Sequence, residues 1–479
     1  MGETSYEYLT YMTVETNPTD TITKTFNAAG EIMESVRNGH YVDYEYYPSG
    51  KLKASWPFGA FDIESEPVKM EYDLQGNRTK ITDPDAGVVE SKYNGFGELL
   101  WERQLVHEGA DSVTTTNQYD NYGLLQSTTR HGHYNENKVF SYDSDLGHPT
   151  RVKSIEIAGR HKQTFTYDSY GRQTNLKEEI DGRIYNRSTE YDALGRIRKD
   201  IYPSGYFTTN TYDSYGNLTE TRDQAGRSIW KPLEENVRRQ LTKVSQGGHT
   251  TSYAFDERGF PTAMDAGNVV SLAYSFDTKG NLQYRTDSLT GQEENFSYDR
   301  LSRLAGWTVV QPERQTAYGM NYSPEGNIET KTDLGNFTLG YGANGKPHAL
   351  TSVSGTPSGW KEQGISYTDF KKVQSISDPT NLRSYALTYG VDDQRRKSTT
   401  TQYWTGANPG SRTTTRYYIG DYEEEITPDG NVRKIHYLSG AVLIRNRGVD
   451  SLLYTYSDYL GSLTALADEN GNVVQRYAY

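Results

Sequence analysis

A Tyr-Asp-x-x-Gly motif recurs along this chain at a nearly constant interval, and a period of this length restricts the fold to a stack of like supersecondary units. Full copies are YDLQG (Tyr72, Asp73, Gly76), YDNYG (Tyr119, Asp120, Gly123), YDSYG (Tyr167, Asp168, Gly171), YDALG (Tyr191, Asp192, Gly195) and a second YDSYG (Tyr212, Asp213, Gly216). FDERG (Phe255, Asp256, Gly259) and FDTKG (Phe276, Asp277, Gly280) continue the series. Copies lacking the Asp begin at Tyr46, Tyr93, Tyr322 and Tyr341. At Tyr142, Tyr298, Tyr367 and Tyr389 the aromatic stays while the Gly is shifted or lost. A degenerate copy, LEENV at Leu233, fills the one double-length gap. From Tyr46 to Tyr389, 15 intervals span 343 residues, a mean of 22.9 per repeat.

The chemistry of one unit follows from its residues. The position two before the anchor aromatic is itself apolar in most units, for example Tyr44, Met70, Phe140, Phe165, Tyr253 and Tyr274. Period-two alternation puts that residue and the anchor on one face of a strand. Asp then bonds its own backbone two residues on, and Gly supplies the positive φ of a tight turn. Arg or Asn often follows (Asn77, Arg172, Arg196, Asn217, Asn281, Asn327), and a second strand begins. Further turns such as DPDAG (Asp83 to Gly87) and YPSG (Tyr202 to Gly205) send the chain back. Each unit is therefore a β-hairpin. A lone hairpin is marginal in water, so the units are expected to line up in one long antiparallel sheet, each tyrosine packing on its neighbour's. The best helix candidate, Lys231 to Val244, falls in the register of the degenerate repeat and is read as strand-turn-strand.

Composition narrows the function classes. The 479 residues include no cysteine, which excludes disulfides, thiolate nucleophiles and zinc-thiolate or iron–sulfur sites. Hydrophobic residues make up 34%, below the roughly 45–50% of ordinary domains, yet 13% are aromatic, which argues against disorder. These figures suggest a sheet solvated on both faces. A net charge of −13 disfavours nucleic-acid binding. No apolar run approaches the ~18 residues of a membrane span.

The YDxxG[RN] copies at this period resemble the bacterial Rhs/YD-repeat family, whose repeats also occur in the teneurins. The resemblance runs from about Phe26 to Tyr479. It sharpens in the segment 417–479, where YYIGDYEEE and then SDYLGS and DENGNVVQRYAY resemble the start of the Rhs-associated core. Asp458, Leu460, Gly461, Ser462, Asp468, Gly471, Val473, Tyr477 and Tyr479 match that pattern, with Tyr459 in place of the family's usual His. The implied organisation is a lead-in segment 1–25, hairpin repeats over 26–416, and the beginning of the core over 417–479.

The resemblance implies an all-β strip of hairpins wound spirally into a hollow shell that encloses a C-terminal toxin or effector polypeptide. It also implies a secreted or cell-surface location and partners among secretion-system or toxin-complex components. In that family the core continues with Asp-Pro-x-Gly and aspartates that cut the passenger free. The chain ends at Tyr479, before such residues, so no catalytic residue is carried over and the chain is expected to be a piece of a longer polypeptide.

Other motifs weigh less. His131 and His133 could join a metal site, as could Glu423, Glu424 and Glu425 or Asp83 and Asp85, but solvated-loop and turn roles are commoner for such residues. No cofactor is expected. Ser462 has no adjacent base, and no GxSxG, HExxH or phosphate loop is present. Asn-x-Ser/Thr at Asn77, Asn186, Asn217 and Asn295 matters only in a glycosylating host. A sheet rich in exposed tyrosine could alternatively hold carbohydrate at a cell surface by ring stacking. An unpaired last strand near Tyr479 would invite self-association.

Overall fold

The computed structural model describes residues 4–477 except 17–20, 38–39, 58–66, 85, 108–109, 133–134, 144–149, 324–325, 340–349, 355–363 and 407. Among the described residues the chain forms 43 β-strands and no helix. Within each of two sheets every strand pairs antiparallel with its neighbours in sequence: Gln173–Ile180, for example, lies between His161–Tyr167 and Arg183–Tyr191. This meander builds a sheet of 32 strands from Ser5–Leu9 to Leu350–Ser354, and a second of 11 strands from Gly364–Tyr367 to Val473–Arg476. The change of sheet falls between residues 354 and 364, well before 417.

The segment 231–244 is strand-turn-strand, split between Ser228–Glu235 and Leu241–Gln246. Its register corrects the sequence reading by two residues. Glu235 pairs with Leu241 across the turn bulge, Asn236 stands in the Asp place and Arg239 (φ 63°) in the Gly place, so the degenerate unit is anchored at Glu235 and not at Leu233.

A meander of this kind has two long edges. The YD turns line one, and the return turns of each unit line the other. The return edge in the middle of the first sheet meets the YD-type edge of the second, in the same order along both. Lys138 meets Asp393, His161 meets Val391, Arg183 meets Glu424, Tyr202 meets Tyr437 and Gln246 meets Gly440. Partners across this seam are 173 to 263 residues apart, about eight to eleven repeats. One winding of the strip is thus stacked on the next.

The largest buried apolar cluster lies in this seam. Ile180, Tyr202, Tyr206, Ile229, Val270 and Leu272 come from the first sheet, and Tyr417, Tyr422, Leu443, Tyr456, Ala465 and Ala467 from the second. A sheet with two wet faces was expected from the composition. Away from the seam most side chains are half-buried, but the stacked windings do build a core.

Candidate functional site: the turn cassettes and the seam between windings

The repeat motif forms one cassette, seen clearly over Tyr191–Arg196. Asp192 Oδ1 accepts the backbone N–H groups of Leu194 and Arg196, both at 2.9 Å, and Oδ2 accepts Arg196 Nε at 2.7 Å. The Asp192 N–H donates to the Arg196 carbonyl and the Gly195 N–H to the Asp192 carbonyl, closing a tight turn with Gly195 at φ +84° and a register shift beside Tyr191. Asp73, Asp120, Asp168, Asp213, Asp256 and Asp277 each accept a backbone N–H in the same place. Gly76, Gly123, Gly171, Gly216, Gly259 and Gly280 share the left-handed conformation. Where Asn replaces Arg, its Nδ2 donates to Oδ2 instead, as in Asn77 to Asp73 and Asn217 to Asp213. The Arg196 N–H above all, with the Arg196 side chain and the Leu194 N–H, outweighs desolvation and holds the Asp192 carboxyl below the usual range. The carboxyls of Asp73, Asp168, Asp213, Asp256 and Asp277 are lowered likewise by the hydrogen bonds of their own turns, which makes them turn acceptors unsuited to act as general acids.

The anchor tyrosine joins one cassette to the next, by a different contact from the ring-on-ring packing expected. The Tyr212 hydroxyl donates to the Ile197 carbonyl of the preceding unit at 2.8 Å, and the Arg196 guanidinium lies 4.4 Å from the Tyr212 ring centroid. The same bridge joins Tyr191 to Gln173 beneath Arg172, and Tyr322 to Leu304 beneath Arg303. Tyr119, Tyr142, Tyr167, Tyr298 and Tyr389 make the equivalent hydroxyl-to-carbonyl bond. Phe260 takes the arginine's place over Phe276, with ring centroids 5.2 Å apart. The residue after the turn glycine therefore covers the next anchor ring.

Two consequences are measurable by chemical denaturation. Gly195→Ala forces a Cβ into the left-handed region and should cost about 1–2 kcal/mol, whereas Gly195→Asn, which tolerates that region, should cost less. Tyr212→Phe removes one tyrosine-to-carbonyl bond and should cost about 0.5–1.5 kcal/mol, with faster amide exchange confined to the strands around residue 197.

The segment resembling a core start uses the same turn. Asp458 Oδ1 accepts the Leu460 and Ser462 N–H groups, Asp468 Oδ1 accepts those of Asn470 and Asn472, and Gly461 and Gly471 have positive φ. Asp458 differs in being buried, with Arg285 of the first sheet 3.9 Å away.

At the seam the buried polar groups are paired across windings. His161 Nε2 lies 2.9 Å from Glu178 Oε2, while His161 Nδ1 accepts the Val391 N–H at 3.0 Å, an arrangement that fixes a neutral imidazole donating to Glu178. Arg396 closes on the same carboxylate at 3.2 Å. Glu424 receives Arg183, Tyr185 and Tyr422. Gln246 donates to the carbonyls of Gly440 and Thr455. His436, fully buried, meets the Ser204 hydroxyl at 2.7 Å and the Leu443 carbonyl at 3.3 Å, with the rings of Tyr202, Tyr206 and Tyr422 packed around it. Burial depresses its pKa to about 4. A neutral histidine this hard to protonate is a poor base for Ser204, and the contact serves to tie the two windings together.

The metal candidates are occupied otherwise. Glu423 and Glu425 are held by Arg416, and Glu425 also by Arg433 at 3.0 Å. His131 lies 3.1 Å from Asn135, and Asp83 accepts the Ala86 N–H. His133 and Asp85 fall outside the described residues, as do Tyr341 and Tyr479. Among the described residues no group of three metal-ligating side chains occurs. Sequence reasoning did not find the seam residues, because a partner some 230 residues away leaves no local pattern. The one available signal was the apolar enrichment of AVLI, LLYTY and LTALA after residue 440.

Comparison with known proteins places this architecture. Residues 147–324 match the family model described as the teneurin YD-shell, and this stretch is YD-shell repeat. Among solved structures, the chain is similar over 99% of its length to TcdB2-TccC3 without its hypervariable C-terminal region, with TM-score 0.82 at 14% identity. It is equally similar to the Photorhabdus luminescens Tc holotoxin pore, again with TM-score 0.82, 14% identity and 99% coverage. At that identity the likeness is one of fold, the wound hairpin strip of a Rhs/YD shell. The chain spans 29% of the length of those structures' chains. No curated protein matches the sequence.

Proposed function

We propose that this chain is a non-catalytic wall segment of a Rhs/YD-type shell, and that the complete shell encloses a toxin or effector polypeptide carried C-terminal to it. The observation that carries this reading is the seam: a strip whose windings are zipped edge to edge by buried ion pairs and tyrosines makes a continuous wall. The wall carries turn cassettes whose aspartates already accept backbone N–H groups, which suits containment better than chemistry. The similar solved structures include a Tc holotoxin pore and a TcdB2-TccC3 described as lacking its hypervariable C-terminal region, which supports a C-terminal passenger and toxin-complex partners for this chain too. A secreted or cell-surface setting follows from the same reading, as does placing the start of a Rhs-associated core at 417–479.

The carbohydrate alternative draws less support. The anchor rings Tyr191 and Tyr212 lie beneath arginines, and the barest aromatics, Phe96, Tyr122, Tyr170 and Tyr215, sit on separate turn tips.

The test is to express the natural reading frame through and beyond Tyr479 and to follow limited proteolysis. The reading expects a variable downstream polypeptide that survives protease while the wall is intact and is digested once the wall is unfolded. A reading frame that stops at Tyr479, or a downstream segment digested at the same rate in both states, would contradict it.

A further inference from the structure

The seam between the windings changes character along its length. Over residues 180–274 of the first sheet and 417–467 of the second it is apolar, built on the cluster around Tyr206, Ile229, Tyr422 and Leu443. Over residues 130–178 and 368–397 it is ionic. The buried apolar side chains of that stretch, among the described residues, are Ile157 and Val391, and neither belongs to a buried cluster. Glu136, Lys138, His161, Gln163, Glu178 and Arg396 are buried there instead.

Charge holds the windings across this stretch. Asp393 of the second winding receives Arg130 at 3.1 Å and Lys138 at 2.9 Å from the first, and Arg396 lies 3.2 Å from Glu178. Glu136 belongs to the same knot, 3.2 Å from Arg130, 3.5 Å from Lys138 and in contact with Arg160. Cations crowd here: burial first, and Arg130 further, against the pull of Asp393, hold the Arg160 guanidinium below its ordinary value. A cavity of about 290 Å³ opens between the windings beside Arg130, Glu136, Arg160, Asp369 and Phe370. The side chains of Asp393 and Arg160 are 28% and 35% exposed, so dissolved ions reach the knot.

The two stretches part at different cost. Separating the apolar stretch exposes rings to water in proportion to their area. Separated ion pairs recover their hydration, so their closure gains little net, and salt screens them where solvent reaches. Among the described residues no backbone ladder joins the two sheets, so the windings can part without unfolding a strand.

We propose that the ionic stretch is a latch and the apolar stretch its hinge. The windings part between residues 130–178 and 368–397 with both sheets intact, while the seam around Tyr422 stays closed, and rising ionic strength favours the open form. That an opening here gives an enclosed polypeptide its way out rests on the wall reading. The latch itself is a property of this chain and is measured with no passenger present.

The chain has no cysteine, so spin labels can be placed in chosen pairs. Ala158→Cys with Gln394→Cys labels exposed turn positions on either side of the latch, and Ala225→Cys with Asn470→Cys does the same at the hinge. Pulsed electron–electron double resonance reads both distances as salt rises from about 0.01 M to about 1 M, which shortens the screening length from about 30 Å to about 3 Å. The latch pair should gain a second, longer distance whose share grows several-fold, while the hinge pair keeps one. Asp393→Asn removes the carboxylate that Arg130 and Lys138 share. It should show the longer latch distance already at low salt, with circular dichroism like the parent's. A latch pair that keeps one distance at high salt, a latch pair unchanged in Asp393→Asn, or latch and hinge pairs that lengthen together would each overturn the proposal. Protection of a downstream polypeptide is a separate readout, so failure of the latch leaves the wall reading standing.

Discussion

Replacing Tyr422 with alanine should destabilise the chain by about 3–5 kcal/mol, the usual cost of removing a large buried ring. Tyr422 is 1% exposed, its ring centroid lies 5.1 Å from that of His436 and 6.4 Å from that of Tyr185, and its hydroxyl donates to Glu424 Oε2 at 3.1 Å. Alanine would leave a void between windings and take a donor from a buried carboxylate that also anchors Arg183. Tyr215→Ala, on a bare turn tip, should shift stability by no more than about 0.5 kcal/mol. Repeat arrays need not unfold in a single step, so the comparison is best read by hydrogen exchange. The seam strands Arg183–Tyr191 and Tyr422–Ile426 should lose protection in Tyr422→Ala, while the first strands of the chain keep theirs.

Acid should loosen the same seam through His436. Its folded-state pKa of about 4 lies below the ordinary histidine value, first because it is buried and further because Arg445 and Lys434 lie nearby, against the favourable Leu443 carbonyl and Asp450. The unfolded chain therefore binds a proton before the folded one does, and the neutral form's stabilisation, complete above about pH 6.5, is lost as pH falls towards 4. The full loss is about 3 kcal/mol. Ser204 and the rings of Tyr202, Tyr206 and Tyr422 leave an imidazolium no carboxylate in direct contact. Denaturation midpoints measured between pH 7 and 4 should fall in the parent and fall less in His436→Gln, which removes this titration. The turn aspartates add a separate, lower window. Asp213, held down first by its Asn217 side-chain contact, and Asp192, held down first by the Arg196 N–H, stabilise the fold above the ordinary carboxylate pKa. That stabilisation disappears as pH falls below about 4 through their lowered values, in the parent and in His436→Gln alike.

The parts legible from sequence were those set by local chemistry. Tyr-Asp-x-x-Gly predicted a hairpin because Asp and Gly act within five residues of themselves, and Asp192 with Gly195 makes that turn. The strand-turn-strand reading of 231–244 held for the same reason, although its anchor moved from Leu233 to Glu235 because Asn236 fits the Asp place and neither Asn nor Asp occurs at the position after Leu233. The anchor tyrosine was readable as a strand residue but not as a donor to the Ile197 type of carbonyl, because the hydroxyl's partner lies in the previous unit. The seam was not legible at all. His161, Glu178 and Arg396 are scattered in sequence and meet only because one winding returns beside another, and no periodicity of 22.9 residues contains that distance. The low hydrophobic fraction pointed to two wet faces for the same reason, since the average over 479 residues hides an apolar concentration in one edge and one C-terminal stretch.

The winding itself can be tested by zero-length carbodiimide cross-linking of dilute, monomeric chain, read by mass spectrometry. Lys397 Nζ lies 2.6 Å from Asp181, and Lys138 Nζ 2.9 Å from Asp393, pairs 216 and 255 residues apart. Lys53–Glu45 and Lys243–Glu234, at 2.6 and 2.8 Å within single hairpins, serve as internal controls. A strip stacked on its own earlier winding predicts both long-range amides within one molecule at yields comparable to the controls. Recovery of the local pairs with neither Lys397–Asp181 nor Lys138–Asp393 would contradict it.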